Sequence, residues 1–296
     1  MSASDVAVGA RSWLFAPGDS ERKMEKALAC GADIVLLDLE DSVTEVAKPH
    51  AREAVAAFLA AHESQLHRLW VRINPLQGPH ALHDLVKVLP ARPGGVMLPK
   101  PLGPADLERL DHYLTALEVA SGIEPGTTGV IPVVTETPQG MFATGDYRGA
   151  ARLTAMTWGA EDIATALGAS GNRAPDGSYD FTYQLARSLC LTGAAAAGVP
   201  AVETIHTDFR DGDGLALVAR EARRQGFRGM IAIHPAQVGP INDAFTPSAE
   251  ELSEAQVIVD LFAAKPDSGT IGYKGIMLDL PHLVRARGIL ALGARR

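Results

Sequence analysis

"SWLFAPGDSERKMEKAL", residues 12–28, decides the fold class. Trp13, Leu14, Phe15 and Ala16 make a short apolar run that Pro17 ends, the length of a buried strand. After a turn with one glycine, Gly18, the residues Met24, Ala27 and Leu28 recur at helical spacing among charges. The unit is strand, turn, helix. An open sheet that binds a dinucleotide would carry GxGxxG at this turn, and the single glycine does not supply it.

The unit recurs. Strand candidates are "SWLFAP" (12–17), "DIVLLDLE" (33–40), "LWVRIN" (69–74), "GVMLPK" (95–100), "GVIPVVTE" (129–136), "LTAMTWGA" (153–160), "AVETIHT" (201–207) and "GMIAIHP" (229–235). Between them, Ala- and Leu-rich segments such as 104–121, 180–197 and 213–225 have helical spacing. "CGAD" (30–33) is a glycine stop before a strand, and "PADLERL" (104–110) puts Pro and acids at a helix start. Such tight alternation predicts parallel strands with crossover helices. Eight units suit an α/β fold closed as a (β/α)8 TIM barrel over residues 11–245. Residues 246–296 form a C-terminal helical extension: a helix within 247–265, a Gly-rich link "DSGTIGYKG" (267–275) and a last helical stretch, 281–292. With no strand in it, this tail reads as a cap, or as an arm reaching a neighbouring subunit.

A hydrophobic share of 47% and a charged share of 21% suit a globular chain of 296 residues, and no apolar run is long enough to span a bilayer. The net charge of −8 argues against nucleic acid as a partner. Residues 1–10, "MSASDVAVGA", lack the basic and apolar segments of a secretory signal and read as a disordered tail. Cys30 and Cys190 stand far apart with no CxxC, as reduced thiols of a cytoplasmic protein do.

In a parallel barrel, functional groups collect where strands end. The second strand offers Asp38, Glu40 and Asp41; the third Arg72 and, on the same face, Asn74; the fourth Lys100; the fifth Glu136; the sixth Glu161 and Asp162; the seventh Glu203 and His206; the eighth His234. These charges could neutralise one another structurally. Alternatively, Glu136 and Asp162, on consecutive strands, hold a hard cation. Two carboxylates without His or Cys suit Mg2+, and Arg72 would grip a substrate carboxylate through its planar fork. Arg22 and Lys26 share one face of the first helix, either as a solvated face balanced by Glu21 and Glu25 or as a phosphate grip at the rim. No GxSxG turn or Walker A loop occurs. His80 and His83 lack a third metal partner, "DGDG" (211–214) lacks the Glu of a calcium loop, and His206 and His234 are ligands, bases or satisfied core histidines.

The ordered stretches "RSWLFAPGDSERKMEKAL", "GADIVLLDLEDSV", "VRIN", "VMLPK", "VTETPQG", "WGAEDIATALG", "AIHPAQV" and "KGIMLDLPHLVRAR" resemble the citrate lyase β-subunit-like branch of the HpcH/HpaI aldolase family, which includes malyl-CoA and citramalyl-CoA lyases. The resemblance covers nearly the whole chain from Arg11. It implies a trimeric or hexameric TIM barrel that cleaves 3-hydroxyacyl-CoA thioesters, reversibly and with Mg2+, to an oxo acid and an acyl-CoA. Glu136 and Asp162 match its metal ligands, Arg72 its substrate-carboxylate arginine, and Phe15, Arg22 and Lys26 positions that touch CoA. Some relatives carry Tyr at the position of Phe15 and Lys at that of Arg22. Asp279 matches a catalytic aspartate that acts in the neighbouring subunit's site, while Glu40 and Asp41 would orient water around the cation. Alternatives are a CoA-independent oxo-acid aldolase, thioester hydrolysis or malate-synthase-like condensation at the same site, or a non-catalytic subunit that binds CoA or an acyl carrier protein.

Overall fold

The computed structural model describes residues 3–294. Eight parallel strands follow the predicted order: β1 (Ser12–Pro17), β2 (Ile34–Asp38), β3 (Leu69–Arg72), β4 (Gly95–Leu98), β5 (Gly129–Pro132), β6 (Met156–Thr157), β7 (Ala201–Glu203) and β8 (Gly229–Ala232). They run β5-β4-β3-β2-β1-β8-β7-β6 across the sheet. The two ends of that order meet through the parallel bridges Val130↔Leu153 and Val133↔Thr157, nearly closing the sheet as a TIM barrel. Most strands stop earlier than their apolar runs. Glu40, Asn74, Lys100 and Glu136 therefore lie past their strands, in the loops at the barrel mouth, whereas Asp38, Arg72 and Glu203 stay in the ladder.

The barrel helices are α1 (Ala3–Gly9), α2 (Glu21–Ala29), α3 (Lys48–Ala61), α4 (Ala81–Val88), α5 (Pro104–Ala120), α6 (Pro138–Phe142), α7 (Glu161–Leu167), α8 (Phe181–Ala197), α9 (Gly212–Gln225) and α10 (Val238–Phe245). The expected frayed start is corrected by α1, because Ala7 and Ala10 are buried in the barrel's core cluster with Trp13, Ile34, Trp70 and Ala155. A helix of small apolar residues here covers the strands' N-terminal ends. Residues 1 and 2 lie outside the described residues. Trp13 and Trp70 meet edge to face, with centroids 5.4 Å apart. Gly95 makes room for Trp70: a Cβ at this position would stand 2.4 Å from the indole.

The chain divides into two compact units at Asn242/Asp243. The second contains α11 (Ala249–Ala263), α12 (Leu280–Gly293) and, between them, the strands β9 (Thr270–Tyr273) and β10 (Ile276–Asp279). The expected strandless link is thus an antiparallel hairpin in which Ile276 pairs with Tyr273. Its two-residue turn, Lys274 and Gly275, has φ of 48° and 77°, the positive pair a tight hairpin requires. Lys-Gly is not among the strong hairpin dipeptides, so the turn is hard to read from sequence. Phe262, Ile271, Leu278 and Leu283 form this unit's own core. No described helix is long and apolar enough to cross a membrane.

One buried ion pair ties α5 to the turn that precedes β6. Glu118, on α5, accepts from Arg152 Nη1 and Nη2, both at 2.8 Å, and from the backbone N–H groups of Gly126 and Thr128. Arg152 also meets Asp111 and Thr115, in a backbone conformation with φ of 61°. Burial alone would raise the Glu118 pKa, but the hydrogen bonds from Arg152, Thr128 and Gly126 outweigh it and hold the group at about 2, against an ordinary 4.5. A depressed folded pKa gives stability that is complete above pH 4.5 and fades as the pH falls toward 2. Removing one partner of a buried pair typically costs about 3–5 kcal/mol. Glu118→Ala is expected to lose that amount at pH 7 in urea unfolding followed by tryptophan fluorescence, with the deficit shrinking below pH 4.5.

Candidate active site

The parallel register places Asp38 on β2 opposite Arg72 on β3. Arg72 donates from Nε to Asp38 Oδ1 and from Nη2 to Oδ2, both at 2.7 Å. Asp38 also accepts the N–H groups of Glu40 and Ser42, so the loop after β2 is folded around it. Arg72 Nη1 lies 2.8 Å from Glu40 Oε2, a charge pair without hydrogen-bond alignment. The guanidinium rests 4.5 Å over the Phe15 ring. Burial opposes the charges of both Asp38 and Arg72, yet their mutual attraction lowers the first pKa and raises the second.

The backbone behind Glu40 is clamped. Lys48 is buried and donates to the carbonyls of Leu39 and Glu40 at 3.0 Å and to Asn74 Oδ1 at 2.7 Å. Asn74 continues to Asp84, which accepts from Arg52. Asn74, read from sequence as sharing the Arg72 face, thus serves this supporting cluster instead. His80, at its outer edge, lies between Arg52 and Glu45 at 2.8 and 2.5 Å.

Lys100 joins the carboxylates. Its Nζ lies 2.5 Å from Glu40 Oε1, 3.1 Å from Asp162 Oδ1 and 3.4 Å from Asp41 Oδ2. Its backbone φ of 51° is left-handed for a residue with a side chain, a conformation that persists only where the surroundings enforce it. In that conformation the Lys100 N–H donates to Glu136 Oε2 at 2.7 Å. Burial works against the ammonium, but Glu40, Glu136 and Asp162 raise its pKa.

Glu136 lies four residues past β5, just before Thr137, whose hydroxyl caps α6 by accepting from Gly140 N–H. Asp162 lies in the first turn of α7, where an acid complements the helix dipole. Burial pushes Glu136 up to about 8, and the charges of Asp162 and Glu40 add to it against Arg72 and Lys100. Burial likewise takes Glu40 up to about 7 despite Arg72 and Lys100. Of these groups Asp38, Asp41, Arg72, Glu136 and Asp162 border a cavity of about 400 Å³ at the barrel mouth, lined also by Phe15, Trp158 and Tyr179.

The residues fit a hard divalent cation. Among the described residues no three His, Cys, Asp or Glu side chains converge into a closed metal cage. Glu136 and Asp162 instead offer two carboxylates whose repulsion a cation between them would relieve, the donor set that Mg2+ accepts while keeping waters and substrate oxygens. Glu136 packs directly against residue 159: a Cβ there would lie 3.0 Å from Glu136 Cγ and 3.1 Å from Oε1, so the carboxylate would have to shift by a few tenths of an ångström.

The remaining candidates are distributed differently. Asp41 is exposed and faces Lys100. Arg22 and Lys26 lie on the exposed face of α2 and do not line the cavity. Asp279 belongs to the second unit, where it precedes α12 and pairs with His282 Nδ1 at 2.5 Å. His206 lies 3.6 Å from Asp211, the cap of α9, and His234 stacks on Phe209. From sequence, Asp38 and Lys100 carry no role in the site, Trp158 reads as barrel packing, and the loop 168–180 reads as pocket wall without Tyr179 being singled out; Gly159 gives no signal. For Lys100 the signal was present, a lone cation at the end of an apolar strand.

A family model, HpcH/HpaI aldolase/citrate lyase, matches residues 11–235. A citrate lyase subunit beta-like protein of Mycobacterium tuberculosis is 35% identical over 278 residues, 94% of this chain and 93% of that protein. The mitochondrial citramalyl-CoA lyase of Mus musculus is 32% identical over 297 residues, 95% of this chain and 85% of that protein. Among solved structures, CitE from Mycobacterium tuberculosis in complex with magnesium, acetoacetate and coenzyme A superposes with a TM-score of 0.81 at 32% identity, covering 97% of this chain and 99% of that one.

Gly159→Ala tests the packing against Glu136. It is expected to fold normally and to weaken Mg2+ binding about 10–100-fold, the scale on which neighbours of metal ligands act, in a calorimetric titration.

Proposed function

The chain belongs to the HpcH/HpaI aldolase/citrate lyase family, and from that premise we propose that it is a Mg2+-dependent carbon–carbon lyase. It cleaves a 3-hydroxyacyl-CoA thioester, of the malyl-, citramalyl- or citryl-CoA kind, reversibly to an oxo acid and an acyl-CoA. The observation that carries this reading is the buried Glu136 beside Asp162, with Arg72 bordering the same cavity. The magnesium and coenzyme A in the CitE complex support it.

Glu136 and Asp162 would hold Mg2+, which when bound polarises the hydroxyl or oxo oxygen and lowers the hydroxyl's pKa. Arg72 keeps N–H donors beyond those given to Asp38, and with them it grips the substrate carboxylate and orients the bond to be broken. On cleavage the hydroxyl gives up its proton to solvent water and its oxygen becomes the oxo group. The electron pair of the broken C–C bond passes to the α-carbon of the thioester as an enolate. Asp279, supplied by a neighbouring copy, gives that carbon a proton and removes it in the reverse direction. His282 would fix the carboxylate for this exchange. Arg22 and Lys26 would meet the phosphates of CoA, and Phe15 would support Arg72 from below while bordering the CoA path. Glu40 and Asp41, through Lys100, set the field around the cation.

The deciding experiment incubates the protein with malyl-, citramalyl- and citryl-CoA and Mg2+ and follows both products. Release of oxo acid together with acyl-CoA is expected from at least one of them, and is expected to disappear in Glu136→Gln. Free CoA with an intact hydroxy acid would mean hydrolysis instead. A shared site has its own signature: Glu136→Gln and Asp279→Asn, each inactive, are expected to regain activity when co-assembled. No recovery would return Asp279 to a role within its own chain.

A further inference from the structure

A second cavity, of about 670 Å³, adjoins the first between β7, α8 and α9, bordered by Arg173, Arg187, Glu203 and His206 among others. Three residues line both: Thr204, Ile205 and Tyr179. Thr204 and Ile205 follow β7 directly. Tyr179 comes instead from the loop 168–180, and its ring stands between the two spaces.

That ring is held from two sides. Trp158 meets it edge to face, with centroids 5.3 Å apart, and the Arg173 guanidinium lies 3.8 Å from its centroid. Arg173 donates to the Gly177 carbonyl at 2.7 Å, and its backbone bridges that of Tyr179. Trp158 donates to the buried Glu203 at 2.5 Å, and Glu203 is paired with Arg187 at 2.6 Å. One side of the ring therefore rests on Trp158, which Glu203 and Arg187 hold in place, and the other carries the exposed Arg173. In an eight-stranded barrel, β6 and β7 lie across from β2 and β3, which carry Asp38 and Arg72. An acid gripped by its carboxylate at Arg72 points its other end at this wall. Trp158 also precedes Gly159, against which Glu136 packs, so the wall begins next to the carboxylate pair.

We infer that Tyr179 is the specificity-determining wall of the site: it separates the two cavities and so restricts the enzyme to 2-oxo acids with a short substituent. The inference rests on the proposed function for the identity of the acid. It deepens that reading by limiting the length of the acid accepted and naming the side chain that sets the limit.

The test is calorimetric titration, in Mg2+, of wild type, Tyr179→Ala, Tyr179→Leu and Tyr179→Phe with pyruvate, 2-oxobutanoate, 2-oxopentanoate and 2-oxohexanoate. Wild type is expected to lose about tenfold or more in affinity for each methylene past the length that reaches the ring. Tyr179→Ala is expected to move that drop to a longer acid, Tyr179→Leu to move it less, and Tyr179→Phe, which keeps the ring, to leave it in place. Should the alanine variant fail to fold, the leucine variant reads the same shift. The same drop at the same length in every variant overturns the wall, as does a wild type that binds all four acids equally. Wild type binding no oxo acid at all overturns the proposed function, and with it the ligand assigned to the wall.

Discussion

Everything at the barrel mouth is arranged around the pair of Arg72 and Asp38. Two buried charges in a parallel ladder are tolerable only when they neutralise each other with aligned hydrogen bonds, and neighbouring positions on β2 and β3 allow that alignment. Asp38 then has oxygen capacity left for the N–H groups of Glu40 and Ser42, which fixes the course of the next loop. Arg72 in turn has charge left for Glu40, and Glu40 draws in Lys100. The backbone of Lys100 finally presents its N–H to Glu136. One ion pair, placed by strand register, thereby propagates from β2 to the far side of β5 through successive polar contacts.

The barrel was legible because its signals are local and repeated: eight apolar runs, each closed by a polar residue and followed by a helical pattern. Helix starts such as Pro104 and stops such as Gly31 fell where expected because proline and glycine impose backbone geometry without tertiary help. The hairpin of β9 and β10 was not legible, since its strands are short and Lys274 adopts a positive φ that its type does not advertise. The helix α1 was missed for a different reason. Seven residues are too few to declare a helix, and what secures this one is Ala7 and Ala10 fitting into the core, a tertiary fact.

The site divides along the same line. Candidates found at strand ends, Arg72, Glu136 and Asp162, do border one cavity, because a barrel converges all its strand ends on one mouth. Residues that matter through shape left no such trace. Gly159 counts for the side chain it lacks, and Gly95 likewise gives its space to Trp70. Tyr179 lies in an irregular loop whose path depends on Arg173 and Trp158, residues that no pattern in the chain links to it. Patterns reveal what a side chain carries, and they are blind to the space that a neighbour needs.

The charge balance at the mouth imposes an order of events. Asp38, Glu40, Asp41, Glu136 and Asp162 gather around two cations, Arg72 and Lys100, among the described residues of this cavity and its rim. Burial and mutual repulsion already drive Glu136 to about 8 and Glu40 to about 7, so the protein alone relieves the excess by holding protons. A substrate carboxylate approaching Arg72 would meet that same negative field and would add to it. A divalent cation reverses the field where it sits, and only then does a second anion gain by entering. On the proposed function Arg72 would then act less as a lure for the acid than as a director of its orientation, because Asp38 cancels much of its charge and takes its Nε and one Nη2 N–H. On that reading the attraction that fills the site would come from the cation, and the geometry that selects the acid from the protein around it.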